Sequence, residues 1–377
     1  MWSSQRYIKL GTELLRSEAV LEAAAAQIEQ IQLKKPARPA ILTLGHLAKL
    51  SNTPHFSLRT IVARTASNPY RYFWIRKRSG GRRQISIPSP DLSNVQSWIA
   101  REVLAPQLVH SASHAFSPQS SIVKCAKQHC EAKWLIKIDI ADFFGSVTEI
   151  QAWRVFRRLG YNHLVAFEMA RICTDRVVHS QKYKLDSWIS DPSVYKIPTY
   201  GSPILSRLPQ GAPTSPMLSN LVMLKIDEQI SRLAKVHGLK FTRYSDDMTF
   251  STSDSNFTRE RAYVFISETA KILKKNGLFL NRKKTAVIPP GSRKLVLGLL
   301  VDRKRPRLTK EFRAIMKQHL FSLGKSIEQH ANHRKFDSIG GMYRHILGLI
   351  NYANMVDSPY ADNLKSRFDA LPWPGKT

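Results

Sequence analysis

Three patterns are scarce or missing in this 377-residue chain, and each absence excludes a class of protein. Only three cysteines occur, Cys125, Cys130 and Cys173, without a Cys-x-x-Cys pair. This disfavours a disulfide framework and a standard zinc site, and it predicts a reducing cytoplasm. No 18 apolar residues follow one another, and the N-terminus has no basic segment before an apolar run. We therefore expect a soluble protein that is not exported and does not contact membranes.

Acidic residues are also few: 28 aspartates and glutamates face 58 lysines and arginines, which leaves a formal net charge of +30. A folded chain with this charge repels itself, and bound phosphates relieve the repulsion while releasing counterions. A membrane surface is the alternative partner, but the positive charge is spread along the whole chain and does not gather beside an apolar helix. The composition therefore predicts a protein that binds nucleic acid.

Helical and strand patterns are both present, in a chain long enough for two or three subdomains. Residues 1 to about 35 are predicted to form one helix, because apolar residues recur on one face: Leu14, Leu21, Ala24, Ile28 and Ile31. The remaining predicted elements are helices at 42–50, 149–173, 218–237 and 261–277, hairpins at 72–87 and 241–252, and strands at 134–139 and 295–301. The last seventy residues are predicted to form a basic helical domain, and residues 175–207 a loop or insertion.

Three acids stand in positions that favour a shared site. The apolar strand at 134–139 ends in Asp139, and Asp246 and Asp247 lie together between β-forming residues. Neighbouring residues of a strand point to opposite faces, so two adjacent acids belong at the tip of a hairpin. Taken singly, each feature has a simpler interpretation, because a strand-end aspartate usually caps a turn and an acidic tip is usually solvated.

Together, the three carboxylates suit phosphoryl transfer. Two magnesium ions neutralise a triphosphate and align the attacking and leaving oxygens, and such ions need carboxylate ligands. We therefore predict a site for two Mg²⁺ ions at Asp139, Asp246 and Asp247, with Asp247 supporting either the turn or the second ion.

The order of these acids among other motifs resembles the reverse transcriptase family. Asp139 with Phe144 resembles the first catalytic motif and residues 244–247 the third, and the other matching strings are 208–216, 281–285 and 297–299. The resemblance implies RNA-directed DNA synthesis from dNTPs by an α+β, right-hand polymerase with fingers, a palm containing an antiparallel sheet, and a helical thumb. The implied bounds are a helical N-terminal extension at 1–40, fingers at 41–132, a palm at 133–306 with an insertion at about 175–207 and a primer grip, and a thumb at 307–377.

The resemblance also implies substrate contacts, each with a simpler alternative. Phe144 would lie under the sugar of the incoming nucleotide and exclude a 2′-hydroxyl, or it is a core aromatic. Gln210 and Gly211 would lie against the template and the nascent base pair, or they form an ordinary loop before a helix. Arg78 and Arg83 would hold phosphates from the first hairpin, although any exposed basic hairpin would look alike.

Two further roles are implied near the end of the palm. Lys284 would protonate the departing pyrophosphate, or it is a solvated lysine. Gly298 would let the primer backbone approach closely, or it marks a strand bulge.

Within the family, the bacterial retron branch is the most similar. Residues 120–129 resemble the retron signature Asn-Ala-x-x-His, with Cys125 in place of the asparagine and His129 retained. Leu297 stands where retron enzymes carry the threonine of Val-Thr-Gly. The resemblance implies that a structured noncoding RNA is copied into single-stranded DNA, called msDNA. Priming would come from an RNA 2′-hydroxyl, within an anti-phage system that includes an effector protein.

RNA or primer contacts are expected at His129, at Gly298 and at Arg344, which lies in the basic C-terminal helices. Two other functions stay open. A group II intron type reverse transcriptase with maturase activity needs additional domains, whereas residues 299–377 leave room for a thumb alone. A non-catalytic RNA-binding scaffold would leave three clustered acids as unrelieved repulsion on a surface that faces RNA.

Overall fold

The computed structural model describes residues 4–76, 80–118, 120–176 and 205–374. Its N-terminal part contains α1 (Ser4–Glu13) and α2 (Glu18–Leu33) in place of the one predicted helix. The helix is interrupted at Leu15, because its φ of +55° is left-handed and cannot continue a right-handed helix. Leu14, which the periodicity assigns to the same apolar face, is therefore 72% exposed, whereas Leu21, Ile28 and Ile31 of that face are buried.

The next segment combines short helices with a hairpin. Its elements are α3 (Leu44–Leu50), α4 (His55–Ala63), β1 (Tyr70–Arg76), β2 (Arg82–Pro88), α5 (Pro90–Trp98) with a π-helical continuation at Ile99–Leu104, and α6 (Ile122–Lys127). Strands β1 and β2 pair antiparallel, with Tyr70 opposite Pro88, so the first predicted hairpin is confirmed. Arg78, at its predicted tip, lies outside the described residues.

A four-stranded sheet forms the centre of the chain, in the order β4-β5-β3-β6 and with antiparallel pairing throughout. The strands are β3 (Trp134–Asp139), β4 (Lys240–Tyr244), β5 (Asp247–Thr252) and β6 (Ala286–Ile288). The helices of this part are α7 (Phe143–Ser146), α8 (Glu149–Arg158), α9 (His163–Ile172), α10 (Ser215–Val236) and α11 (Arg259–Lys275). The predicted helix at 149–173 is two helices, because the Asn162 side chain caps a new one by accepting a hydrogen bond from the Val165 amide.

Apolar residues that alternate along the central strands bury one face of this sheet. Ile136 and Ile138 of β3 and Phe250 of β5 pack with Ile226 of α10 and Phe265 of α11 in one hydrophobic cluster. The combination of an antiparallel sheet with packed helices confirms the predicted α+β class.

The C-terminal part has its own hydrophobic core, which includes Met316, Met342 and Phe368. Its elements are β7 (Leu295–Val296), β8 (Leu299–Leu300), α12 (Lys310–Lys325), α13 (Ile327–His333), α14 (Ile339–Val356) and α15 (Ser358–Asp369). The predicted strand at 295–301 is instead a tight hairpin, because Leu297 and Gly298 both have positive φ, +49° and +82°. None of the helices in the described ranges is both long enough and apolar enough to cross a bilayer.

A buried ion pair fixes the β4–β5 hairpin to α10. Arg243 of β4 and Asp227 of α10 are both fully buried, and the guanidinium donates two hydrogen bonds to the carboxylate, at 2.8 and 2.6 Å. Arg243 also donates to the Ser245 carbonyl at 2.9 Å, within the turn between the two strands. The position of this turn therefore depends on a charge pair in the protein interior.

His129 forms hydrogen bonds with both strands of the β4–β5 hairpin. Its two ring nitrogens form hydrogen bonds of 2.7 Å to the hydroxyls of Thr242 on β4 and Ser251 on β5. Burial, reinforced by the positive charges of His114, Lys240 and Lys137, lowers the pKa of His129 to about 3. The ring is therefore neutral in the folded protein.

Removing Arg243 should destabilise the fold strongly. We expect Arg243→Met to lower the free energy of unfolding by about 3–5 kcal/mol, because Asp227 would remain as a buried, uncompensated charge. Urea unfolding measures the difference. The matched control is Arg232→Met, which breaks an exposed pair with Glu228 on the same helix and should cost less than about 1 kcal/mol. Equal losses in both variants would contradict the role given to the buried pair.

Stability should also fall in mild acid. The pKa of His129 in the folded state lies below the unfolded value of about 6.5, so its contribution is complete above that pH and is lost as the pH falls toward 3. At pH 5 the loss from this residue is about 2 kcal/mol relative to pH 7. Urea unfolding of wild type and His129→Gln at both pH values tests this, because glutamine does not titrate. An unchanged pH dependence in the variant would refute it.

Candidate active site

The three predicted carboxylates lie at one edge of the central sheet. Asp139 ends β3, Asp247 begins β5, and the strand register places them opposite each other. Ser245 and Asp246 form the turn between β4 and β5, with Ser245 at a φ of +59°. The Ile140 amide donates a hydrogen bond of 2.9 Å to the Asp246 carbonyl, which ties this turn to the end of β3.

Mutual repulsion is visible in the electrostatics of this edge. Burial raises the pKa of Asp247, and the negative charges of Asp246 and Asp139 raise it further, while Lys137 and Lys284 oppose the shift. A cation bound at this edge would relieve the repulsion, and carboxylate oxygens are the ligands that hard divalent cations prefer. The donor set therefore fits a divalent metal ion.

Asp139 already has a cationic partner. Lys284 Nζ lies 2.7 Å from Asp139 Oδ2, and Asn281 donates its side-chain amide to Asp139 Oδ1 at 3.0 Å. The Asn281 backbone amide also donates to the Asp139 carbonyl at 2.7 Å. In the ranges that the structure describes, no three histidine, cysteine or acidic side chains converge closely enough to enclose a metal ion. The Lys284 ammonium is the group that now neutralises Asp139.

The residues predicted to contact the nucleotide and the template are held by backbone and ring contacts. The Ser86 amide of β2 donates to the Gln210 carbonyl at 2.7 Å. Gly211 has a φ of +117°, and a Cβ there would lie 2.6 Å from the Ser86 carbonyl oxygen, so no other residue fits without a shift. Phe144, which is partly buried, stacks at an angle on Phe143 and on Phe116, with ring centroids 5.6 and 6.1 Å away.

The two ends of the predicted insertion meet beside this surface, although residues 177–204 themselves lie outside the described ranges. Asp175 and Arg207 exchange two backbone hydrogen bonds of 2.8 and 2.9 Å. The Tyr72 hydroxyl of β1 donates to Asp175 Oδ2 at 2.8 Å, and the Arg207 guanidinium donates to the Gly145 carbonyl of α7 at 3.2 Å. This junction therefore links the first hairpin to the helix that carries Phe144.

The other predicted contact residues are spread over the surface, with one exception. Arg83 lies exposed on β2, Gly298 is exposed in the β7–β8 turn, and Arg344 is exposed on α14. His129 does not fit the prediction of a direct RNA contact, because it is fully buried behind the β4–β5 hairpin. The signature pattern identified the residue but gave no sign of its burial.

Sequence patterns missed the residues that support the carboxylates. Asn281 lies in a string that resembles a family motif, yet the resemblance implies a role for Lys284 alone in that string. Arg243 interrupts an otherwise apolar strand pattern three residues before Asp246, which is a signal for a buried partner. Its partner Asp227 looks like any polar residue of an amphipathic helix, so no local signal identifies it.

Comparison with known proteins shows which family the chain is similar to. A sequence model of the family described as reverse transcriptase (RNA-dependent DNA polymerase) matches residues 75–299. The chain is 29% identical to the retron Ec86 reverse transcriptase of Escherichia coli, over 90% of this chain and 97% of that protein. It is 32% identical to the retron Mx162 reverse transcriptase of Myxococcus xanthus, over 60% of this chain and 46% of that protein.

A solved structure of telomerase from Candida albicans, in complex with a TWJ fragment of telomeric RNA, covers 80% of this chain and 56% of that chain, with a TM-score of 0.41 and 13% identity. The sequence matches confirm the predicted resemblance to reverse transcriptases, including the retron branch. Since the family match spans more than half of the chain, this protein belongs to the reverse transcriptase family and is an RNA-directed DNA polymerase with the α+β, right-hand fold.

Proposed function

We propose that this polymerase copies a structured noncoding RNA into single-stranded msDNA, with two Mg²⁺ ions bound by Asp139, Asp246 and Asp247. The observation that carries the proposal is the β3–β5 register, which sets Asp139 opposite Asp247 beside the turn that contains Asp246. The raised pKa of Asp247 supports it, because that shift includes the charge of both other carboxylates.

The chemistry assigns separate tasks to the side chains around this edge. When bound, the two ions would neutralise the triphosphate and align the attacking and leaving oxygens. Asn281 orients Asp139 through one carboxylate oxygen. Lys284 occupies the other oxygen, and it has to leave before that oxygen can bind a cation. Its ammonium would then serve as the proton donor to the departing pyrophosphate.

Selection of the dNTP is assigned to the adjoining surface. Phe144 would lie under the sugar and exclude a 2′-hydroxyl, held in place by Phe143 and Phe116. Gln210 and Gly211 would support the template and the nascent pair, because their backbone is fixed against Ser86. Arg83, exposed on β2, would hold phosphates, as would Arg78.

The proposal extends to the biological setting. The charge of +30 and the exposed Arg344 on α14 support binding to RNA backbone, and the names of the two relatives support a retron. The proposal further includes a location in the cytoplasm and a role in an anti-phage system that includes an effector protein. DNA synthesis would start from a 2′-hydroxyl of the same RNA, to which the DNA product then remains joined.

Loss of the hairpin carboxylates should abolish DNA synthesis. The variant Asp246→Asn/Asp247→Asn keeps the size of both side chains but removes their charge. When it is co-expressed with the RNA encoded beside its gene, this variant should yield at least about 10³-fold less RNase-resistant DNA than the wild type, because several kcal/mol of charge stabilisation would be lost. The control is Asp254→Asn, an exposed acid beyond the far end of β5. Undiminished DNA from the double variant would overturn the catalytic assignment.

Shortening Phe144 should relax the choice of sugar. In Phe144→Ala, the ratio of kcat/KM for dNTP to that for the matching rNTP should fall by about 10- to 200-fold, the range for a steric pocket contact. Single-nucleotide primer extension measures both substrates. Phe321→Ala, which removes an exposed aromatic ring on α12, serves as the control and should leave the ratio unchanged. The role of Phe144 is refuted if its variant keeps the wild-type ratio.

A further inference from the structure

A cavity of about 430 Å³ lies away from the carboxylate edge, between the end of the N-terminal helices and helices α8 and α10. Helix α10 separates it from the central sheet. Met223 and Ile226 of this helix pack in the cluster that covers the sheet, whereas Leu221 and Leu224 line the cavity. The cavity is therefore distinct from the site of the polymerase reaction.

Four cationic side chains line this cavity: Lys34, Lys35, Arg38 and Arg158. None of the lining residues that the structure describes is acidic. Arg38 is only 8% exposed, yet its guanidinium donates to the carbonyls of Pro36 and Leu159, at 2.9 and 3.0 Å. Arg158 likewise donates to the Leu221 carbonyl at 2.6 Å. Carbonyl oxygens accept hydrogen bonds from these groups, but no described carboxylate forms an ion pair with either of them.

The other two arginines that are buried among the described residues have acidic partners. Arg243 pairs with Asp227 at 2.6 Å, and Arg171 pairs with Glu149 at 3.2 Å. Burying a charge without an opposite charge is costly, which explains why both of these residues have a carboxylate partner. Among the residues that the structure describes, no carboxylate pairs with Arg38, and burial lowers the pKa of this guanidinium, with a smaller opposing effect from Tyr161.

We propose that this cavity is a phosphate-binding site, filled by backbone phosphates of a bound RNA. Guanidinium and ammonium groups are the side chains that pair best with phosphate oxygens, and several of them converge here on one concave surface. The inference rests on the proposed function only for the source of the phosphates. A free polyphosphate has the same chemistry, so the experiment has to separate the two sources.

The test compares two pairs of adjacent, exposed lysines. Lys34→Gln/Lys35→Gln removes two charges at the cavity, and Lys274→Gln/Lys275→Gln removes two at the end of α11. Fluorescence anisotropy with a short structured RNA hairpin measures affinity over a series of salt concentrations. In the cavity variant, the slope of log affinity against log salt should become shallower by about 1 to 2, since each lost phosphate contact removes roughly 0.7 to 0.9.

A second measurement uses inorganic tripolyphosphate and thermal unfolding, because a ligand that binds the folded state raises the melting temperature. A changed salt slope in the cavity variant alone supports the site with RNA as the source. An unchanged slope, together with loss of the stabilisation by tripolyphosphate, supports the site with free polyphosphate as the source. Equal changes in both lysine variants, or no change in either measurement, would overturn the proposal.

The polymerase function is measured separately, by extension of an oligonucleotide primer with the wild-type protein. Absence of extension would count against the proposed function and leave the comparison of the lysine variants intact. Melting temperatures of both variants without ligand show that they fold, as expected for exposed side chains.

Discussion

Repulsion among Asp139, Asp246 and Asp247 is the constraint that the surrounding structure has to overcome. Like charges separate unless the backbone holds them, and here the backbone does so through the β3–β5 ladder and the bond from the Ile140 amide to the Asp246 carbonyl. The cost remains visible as the raised pKa of Asp247. Clustered carboxylates favour the binding of cations, and the Lys284 ammonium already pairs with one of them, Asp139.

The restraint on these acids comes from polar groups buried behind them. Arg243 joins the β4–β5 turn to Asp227 of α10, and His129 joins the two strands of the hairpin through Thr242 and Ser251. Hydrogen bonds and ion pairs are directional, so they fix the register of the hairpin more narrowly than apolar packing alone would. This gives His129 a physical purpose in the retron-like signature: it supports the hairpin from inside the protein.

Much of the site could be predicted from sequence because its determinants are local. Alternation along a strand places Asp139 at a strand end, and two adjacent acids between β-formers place Asp246 at a turn. What could not be predicted depends on distant contacts. Three such features are the pairing of Arg243 with Asp227, the burial of His129 and the junction of Asp175 with Arg207. Each brings together segments that are far apart in the sequence, and the local pattern of one segment does not identify the other. The prediction of a single N-terminal helix that includes Leu14 was wrong for a different reason. The helical periodicity of apolar residues continues past Leu15, whereas the left-handed backbone of Leu15 ends the first helix.

The distribution of the scarce acids connects the fold with the chemistry. With 28 acidic residues against 58 basic ones, at least 30 cations have no carboxylate of their own within the chain. Glu149 illustrates where acids are placed: burial alone would raise its pKa, but Arg64 and Arg171 on either side lower it, at 3.0 and 3.2 Å. Acids thus neutralise arginines in the interior and form the carboxylate edge. Arg38 differs from these arginines, because it is buried without an acidic partner among the described residues. A polyanionic ligand would supply the negative charge that Arg38 lacks.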